Sequence, residues 1–485
     1  MEKVLENIKG TIHFVGIGGI GMSGLAQFYR WAGFKVSGSD RALNNPENAE
    51  LFAKLKKQGI EIFPQDGSFA VNRQTDVMVY STAIEKDNPD FVAGKEIEKW
   101  HRAKALANIV DFLKNRTSIA VTGSCGKTTV TAWLAEAMVL LGLDPIALNG
   151  GMINAFRDET YTGNFRPGKG NFFVYEADES DKSLVAFRPD YSLVLNIGID
   201  HYSTEELVEV FETFLKNTKK GAVIEKAVFG MLNPDSYRHL NVSIVSSEEK
   251  DLREEGKIWK LDSYKTGERQ TAACSYAGEN FSITLPMPGC HSAANALAVT
   301  ALLKLLDEEK PVRDIVKAVE QFKGVHRRFE YKGKTTSGAS VIDDYAHNVE
   351  KIVSCIKTGQ EISNGKVFAV FQPHGYGPFK FMREDLFPEL EKALRKDDKF
   401  ILLPVFYAGG TSSFSPKSSE VNDEYSQKSK THDRYLYFDN RQLAESFLLK
   451  KAEKKDLIIV MGARDSSLAI WAGELTNHLG VSRNV

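Results

Sequence analysis

Thr117-Ser-Ile-Ala-Val-Thr-Gly-Ser-Cys-Gly-Lys-Thr-Thr129 runs from an apolar stretch through a glycine-containing turn into Val130-Thr-Ala-Trp-Leu-Ala-Glu-Ala-Met138, whose spacing is helical. Strand, turn and helix in that order form a phosphate cradle. Backbone N–H groups at the helix start point at the anion, and Lys127 can reach the terminal phosphates. Thr128 places a hydroxyl where a phosphate-bound Mg²⁺ takes a ligand. The spacing therefore predicts a nucleoside triphosphate on Gly123, Ser124, Cys125, Gly126, Lys127, Thr128 and Thr129. The usual phosphate loop carries a glycine at the position of Val121, so this loop is a short one.

Outward from this unit, the chain alternates strands and helices. Before it, Thr11-Ile-His-Phe-Val15 reads as a strand, Gly16-Ile-Gly-Gly-Ile-Gly21 as a turn, residues 22–31 as a helix, and Phe34-Lys-Val-Ser-Gly-Ser-Asp40 as a second strand. Thr75-Asp-Val-Met-Val-Tyr80 adds another, completing a small doubly wound domain, 1–112. A second domain, 113–325, holds the phosphate loop and the strands Asn171-Phe-Phe-Val-Tyr-Glu176 and Tyr191-Ser-Leu-Val-Leu-Asn196. Residues near 241–285 read as an antiparallel extension, 293–306 as a helix, and Gly324-Val-His-Arg-Arg328 as a hinge. In a third domain, 326–485, strands are expected at Val341-Ile-Asp-Asp-Tyr345, Lys366-Val-Phe-Ala-Val-Phe371, Lys399-Phe-Ile-Leu-Leu-Pro404 and Asp456-Leu-Ile-Ile-Val-Met461. The polar, serine-rich residues 409–432 show no periodicity and read as a mobile loop. The fold class is α/β: a Rossmann-like domain, a central P-loop ATPase-like domain and a C-terminal Rossmann-like domain.

Composition sets limits on this reading. Three domains suit 485 residues, and 42% hydrophobic with 26% charged residues is ordinary for a globular protein. A net charge of −2 with mixed signs calls for neither nucleic acid nor a membrane surface. The N-terminal residues are too charged for a signal peptide. Four scattered cysteines favour free thiols in the cytoplasm over disulfides or structural zinc.

Gly16-x-Gly18-x-x-Gly21 with Asp40 at the end of the next strand is a dinucleotide fingerprint, which taken alone suggests a nicotinamide oxidoreductase. A dehydrogenase has no use for a second, triphosphate loop. An ATP-driven enzyme acting on a nucleotide-linked substrate uses both. The strings His13-Phe-Val-Gly-Ile-Gly-Gly-Ile-Gly-Met-Ser-Gly24, Glu176-Ala-Asp-Glu-Ser-Asp181, Asn196-Ile-Gly-Ile-Asp-His201, Gly289-Cys-His-Ser-Ala-Ala-Asn-Ala-Leu297, Arg327-Arg-Phe-Glu330 and Asp343-Asp-Tyr-Ala-His347 follow in chain order. With the phosphate loop they resemble the Mur ligases of peptidoglycan synthesis from end to end, most closely the alanine-adding members.

The resemblance implies that ATP phosphorylates a carboxylate of UDP-N-acetylmuramate and that an amino acid, L-alanine, attacks the acyl phosphate. It implies Lys127 on the β- and γ-phosphates, one Mg²⁺ on Thr128 and Glu176, and a second on Glu176 and His201, where an imidazole ligand also suits Mn²⁺. It further implies His291 and Asn295 at the adenine, Arg328 at the γ-phosphate and Asp344 at the ribose, with ATP clamped between the second and third domains. Gly18, Gly19, Ile20 and Gly21 would hold the UDP diphosphate. Asp40, Ser81 and Thr82 would edge the uridine, and His347 and His374 would face the amino-acid substrate. Lys127, Glu176, His201 and Arg328 are the catalytic set. The expected assembly is a monomer or homodimer.

Three departures stand out. Cys125 replaces the family's usual histidine and, at a helix N-terminus beside a lysine, is expected to be a reactive thiol. Ser292 and Asn348-Val349 differ from the usual residues. After His374, Gly375 stands where the alanine-adding members usually carry an arginine able to read a substrate carboxylate; Lys380 and Arg383 are the candidate substitutes. A peptide-recycling ligase joining L-Ala-D-Glu-meso-diaminopimelate to the same nucleotide sugar is the nearest alternative.

Overall fold

The computed structural model describes residues 8–71, 74–179, 183–198, 204–247, 258–267, 269–407, 414–429, 431 and 433–476. Its contacts divide the chain into two compact units. One spans Met1–Pro286 with Cys290–His326, the other Arg327–Val485 with Met287–Gly289.

The first unit contains two sheets. Strands β1 (Thr11–Val15), β2 (Lys35–Asp40), β3 (Glu61–Pro64), β4 (Thr75–Tyr80) and β5 (Glu98–His101) pair in parallel in the order β3-β2-β1-β4-β5. Strand order reverses at β1, so the glycine turn leaves the carboxyl edge at the switch point, where open α/β sheets take ligands. The Gly16 and Ile17 N–H groups both donate to the Ser39 carbonyl, 2.8 and 3.0 Å, closing the turn against β2. The helix Ile20–Trp31 follows directly, two residues earlier than its apolar spacing suggests.

The second sheet comprises β6 (Thr117–Thr122), β7 (Ile146–Leu148), β8 (Phe165–Arg166), β9 (Phe172–Glu176), β10 (Tyr191–Val194), β11 (Gly221–Glu225), β12 (Asn241–Ser246), β13 (Ile258–Lys265), β14 (Gln270–Tyr276) and β15 (Glu279–Leu285). Their order is β15-β14-β13-β12-β11-β10-β6-β9-β7-β8. β6 lies mid-sheet with Ile119, Ala120 and Val121 fully buried, the continuous apolar run that a strand covered on both faces requires. The expected antiparallel extension is corrected in part: β12 pairs in parallel with β11 and β13, and only β13, β14 and β15 form an antiparallel meander.

A buried polar cluster ties the two sheets within this unit. Gln27 Nε2 on the helix Ile20–Trp31 donates to Thr162 Oγ1 (2.7 Å) and Asn164 Oδ1 (2.9 Å), and Asn164 Nδ2 donates to Ser23 Oγ (2.9 Å). Buried amides at this depth need such mutual satisfaction. Phe28 meets Phe165 edge-on beside them, ring centroids 6.0 Å apart. The helix Lys127–Leu140 grips the chain that leads out of the unit. Trp133 stacks on Phe322 at 4.7 Å and donates to the Val319 carbonyl, while buried Glu136 accepts the Lys323 N–H at 3.1 Å. Burial pushes the Glu136 carboxyl up to about 7.

The second unit holds β16 (Glu330–Lys334), β17 (Ser340–Asp344), β18 (Val367–Phe371), β19 (Lys399–Leu402), β20 (Tyr435–Tyr437) and β21 (Leu457–Met461), ordered β16-β17-β21-β18-β19-β20. All neighbours are parallel except β16 with β17. The serine-rich segment expected to be a loop contains a helix, Ser418–Lys428. Glu420 accepts the Lys417 N–H (2.9 Å) at its start, and Val421 and Tyr425, one turn apart, are buried in the core of this sheet.

Candidate active site

Two glycines set the shape of the phosphate loop. Gly123 (φ +137°) and Gly126 (φ +87°) occupy conformations that L side chains rarely adopt, and a Cβ on Gly123 would sit 3.0 Å from the Asn196 N. Asn196, just beyond β10, clasps the turn from the neighbouring strand. Its Oδ1 accepts the Cys125 N–H (2.7 Å), and its Nδ2 donates to the Cys125 carbonyl (2.9 Å). Ser124 and Gly198 add a second link, the Gly198 N–H donating to Ser124 Oγ at 2.8 Å. The backbone of the loop is thus fixed by the segment that follows β10.

Lys127 and Thr128 begin the helix and meet a row of carboxylates from the end of β9. Lys127 Nζ donates to Glu179 Oε2 (2.7 Å) and to the Gly123 carbonyl (2.8 Å), with Asp178 Oδ1 at 3.8 Å. Burial alone would lower the Lys127 pKa; the charges of Glu179, Asp178 and Glu176 outweigh it and hold the ammonium above its usual range. Thr128 Oγ1 donates to Glu176 Oε1 at 3.1 Å, and Glu176 Oε2 accepts the Gly150 N–H at 2.8 Å. A Cβ on Gly150 would lie 2.5 Å from that oxygen, so glycine lets the carboxylate rest against the backbone. Among the described residues no group of three or more His, Cys, Asp or Glu side chains could hold a metal. One carboxylate and one hydroxyl beside a phosphate loop fit Mg²⁺, which completes its shell with phosphate and water. His201 lies outside the described residues.

Asn295 comes to the same loop from the helix Cys290–Leu306: a Cβ on Gly126 would lie 3.4 Å from its Oδ1. His291 is exposed on the first turn of that helix, and Thr129 is half-buried on the second residue beyond Lys127. Glu176 also faces a cavity of about 100 Å³ whose walls include Gly21, Gly24, Arg102, Gly150 and Asp178. Arg102 donates to Asp178 Oδ2 at 2.6 Å across it. The start of the helix Ile20–Trp31 and the carboxylates beside the phosphate loop therefore share one chamber.

At the first sheet, Gly19 and Gly21 expose their backbone at the helix start, with Ile20 half-buried between them. Asp40 is turned toward the loop: its carboxylate accepts the Gly18 N–H and the Ala42 N–H, each at 2.8 Å, and a Cβ on Gly18 would meet it at 2.7 Å. Ser81 and Thr82 follow β4 at the same carboxyl edge, Thr82 exposed.

In the second unit, Asp344 closes the turn after β17, accepting the Phe329 and Ala346 N–H groups at 2.7 Å each, and burial raises its pKa. The Arg328 guanidinium lies over the Tyr345 ring, 5.3 Å from its centroid. Its neighbour Arg327 is structural: buried, it pairs with Asp343 at 3.3 Å and donates to the Gly462 and Asp465 carbonyls. Glu330 accepts the Arg327 N–H at 3.0 Å. His347 and His374 meet edge to face at 5.3 Å, and burial takes both imidazoles down to about 4, so they stay neutral near pH 7. Arg383 donates to Glu424 at 2.8 Å. Lys380 is exposed on the helix Tyr376–Ala393.

The structure brings Lys127, Thr128, Glu176 and Asn295 around one loop, and sets His347 against His374 from two separate loops. Sequence reasoning missed Asn196, Asp178 and Glu179. The first stands in a string that the resemblance picked out, without a role; the acids sit in the string opened by Glu176, where any of several could have been the one that meets Lys127.

Three family models match the chain in order: the Mur ligase family catalytic domain over residues 11–113, the Mur ligase middle domain over 121–303, and the Mur ligase glutamate ligase domain over 327–464. A UDP-N-acetylmuramate–L-alanine ligase from Lachnospira eligens is 32% identical over 480 residues, covering 96% of this chain and 98% of the relative. Among solved structures, the UDP-N-acetylmuramate–alanine ligase of Thermotoga maritima superposes with a TM-score of 0.75 at 26% identity, covering 96% of this chain and 97% of its own. A murein peptide ligase from Psychrobacter arcticus shares the fold, with a TM-score of 0.65 at 20% identity over 97% of this chain and 100% of its own.

Proposed function

Because the chain belongs to the Mur ligase family, we propose that it adds L-alanine to UDP-N-acetylmuramate at the expense of ATP, through an acyl phosphate. The observation that carries the reading is the convergence of Lys127, Thr128 and Glu176 on one phosphate loop, opening into the chamber shared with the first glycine turn. Residues 1–112 are assigned to the UDP-linked substrate, 113–325 to ATP and 326–485 to the amino acid.

A carboxylate is a poor acyl donor because oxide is a poor leaving group. Phosphoryl transfer from ATP to a muramoyl carboxylate oxygen releases ADP and makes phosphate the leaving group. The alanine nitrogen then attacks the carbonyl carbon, the C–O bond to phosphate breaks, and the amine sheds its proton. No covalent enzyme intermediate is needed, so the work is positioning and charge neutralisation. Loop amides and Lys127 hold the phosphates. Thr128 and Glu176 would hold Mg²⁺, which when bound screens the charge between phosphate and carboxylate. The amides at Gly19 and Gly21 would take the UDP diphosphate at a helix N-terminus. Asp40 serves that turn by fixing the Gly18 N–H.

The peptide-adding alternative is not favoured: the relative named for alanine addition matches nearly the whole chain at 32%, whereas the peptide ligase shares the fold at 20%. An oxidoreductase has no use for the second loop. Among the described residues no helix is long and apolar enough to cross a membrane.

The test is ADP release by purified protein with UDP-N-acetylmuramate and, in turn, L-alanine, glycine, L-serine and the tripeptide. Turnover with L-alanine is expected; turnover with the tripeptide alone would replace the reading. A second expectation concerns Cys125, half-buried in the loop, while Cys274 and Cys355 are buried with their thiols raised by burial. Iodoacetamide labelling at Cys125, followed site by site by mass spectrometry, is expected to slow with ATP. Equal rates with and without ATP would count against nucleotide in this loop.

A further inference from the structure

β21 lies between β17 and β18, and all three are parallel, so residues 344–347, 462–465 and 372–375 leave the sheet side by side at its carboxyl edge. The outer two segments carry His347 and His374. The middle one carries Arg464, which the reading above leaves without a task. Arg464 holds φ at +65°, a left-handed conformation disfavoured for a residue with a Cβ. Its N–H donates to Tyr345 Oη at 3.2 Å, fixing this turn to the one that bears His347. After burial, the charge that lowers the His374 pKa is that of Arg464, in the turn next to it.

The neighbouring acid does not neutralise it, for buried Asp465 is taken by Arg441 and Ser467. Among the described residues no carboxylate pairs with Arg464, while Arg327, Arg383, Arg395 and Arg434 are all matched with acids. An exposed, unmatched guanidinium in a strained turn, between the segments that carry two neutral imidazoles, is arranged to receive an anion. Gly375 offers no charge, and Arg383 is committed to Glu424.

We propose that Arg464 reads the α-carboxylate of the incoming amino acid and thereby sets the enzyme's acceptor specificity. The proposal rests on the ligase reading. Its test compares L-alanine with L-alaninamide, which keeps the amine and loses the carboxylate charge, in the parent enzyme and in Arg464→Ala and Arg464→Lys. The parent should strongly prefer L-alanine. Arg464→Ala should lower kcat/KM for L-alanine about 100-fold, the loss expected for a charge-assisted pair. The loss should fall mainly on KM and leave the KM for ATP unchanged, and the preference over alaninamide should shrink by the same factor. Arg464→Lys keeps the charge without the fork and should fall between. A preference that survives intact in both variants overturns the proposal alone; a parent enzyme that releases no ADP with any amino acid overturns it together with the ligase reading.

Discussion

Lys127→Ala is expected to lower kcat for ADP release about 10³-fold, the scale seen when one preorganised charge is taken from a phosphoryl-transfer site. The ammonium is the cation that the phosphate loop itself supplies, and three carboxylates keep it protonated. Those same carboxylates complicate the experiment. Lys127 and Glu179 are both largely buried, 13% and 8% exposed, so alanine strands Glu179 beside Asp178. Breaking such a pair costs about 3 kcal/mol of stability when the survivor stays charged. Glu179→Gln in the same chain removes that penalty: the double variant should regain its melting temperature and remain inactive. Recovery of activity together with stability would show that Lys127 acts on the fold and not on the phosphates.

What could be read in the sequence was local. β6, the loop and the helix Lys127–Leu140 are contiguous, so one stretch carries the strand, the turn and the charge. The glycine turn after β1 was legible for the same reason. Asn196 was not, because only the sheet order, which sets β10 beside β6, brings it to Cys125. Arg464 is a stronger case: its turn lies beside those of Tyr345 and His374 only because β21, late in the chain, inserts between β17 and β18. Parallel pairing of β12 with β13 was missed because strand composition does not reveal direction. The helix Ser418–Lys428 was missed because serine and charge dominate its sequence, and tertiary burial of Val421 and Tyr425 overrides that propensity.

Glu176→Gln should separate charge from shape at the other half of the site. The amide is nearly isosteric, and its oxygen can still accept a hydrogen bond from Thr128 or the Gly150 N–H, so the melting temperature should stay close to the parent's. What is lost is the hard anionic oxygen that Mg²⁺ prefers. ADP release is therefore expected to fall about 10²-fold, and the Mg²⁺ concentration giving half-maximal rate should rise by a similar order. Thr128→Val, which deletes the hydroxyl, should shift the Mg²⁺ curve in the same direction with a smaller effect, since a neutral ligand contributes less than a charged one. The two residues touch at 3.1 Å, so their effects should not add: the double variant should lose less than the product of the single losses. A full product of losses, or a Mg²⁺ curve unmoved by Glu176→Gln, would show that the metal is held elsewhere and that Glu176 serves only to fix Gly150 against the loop.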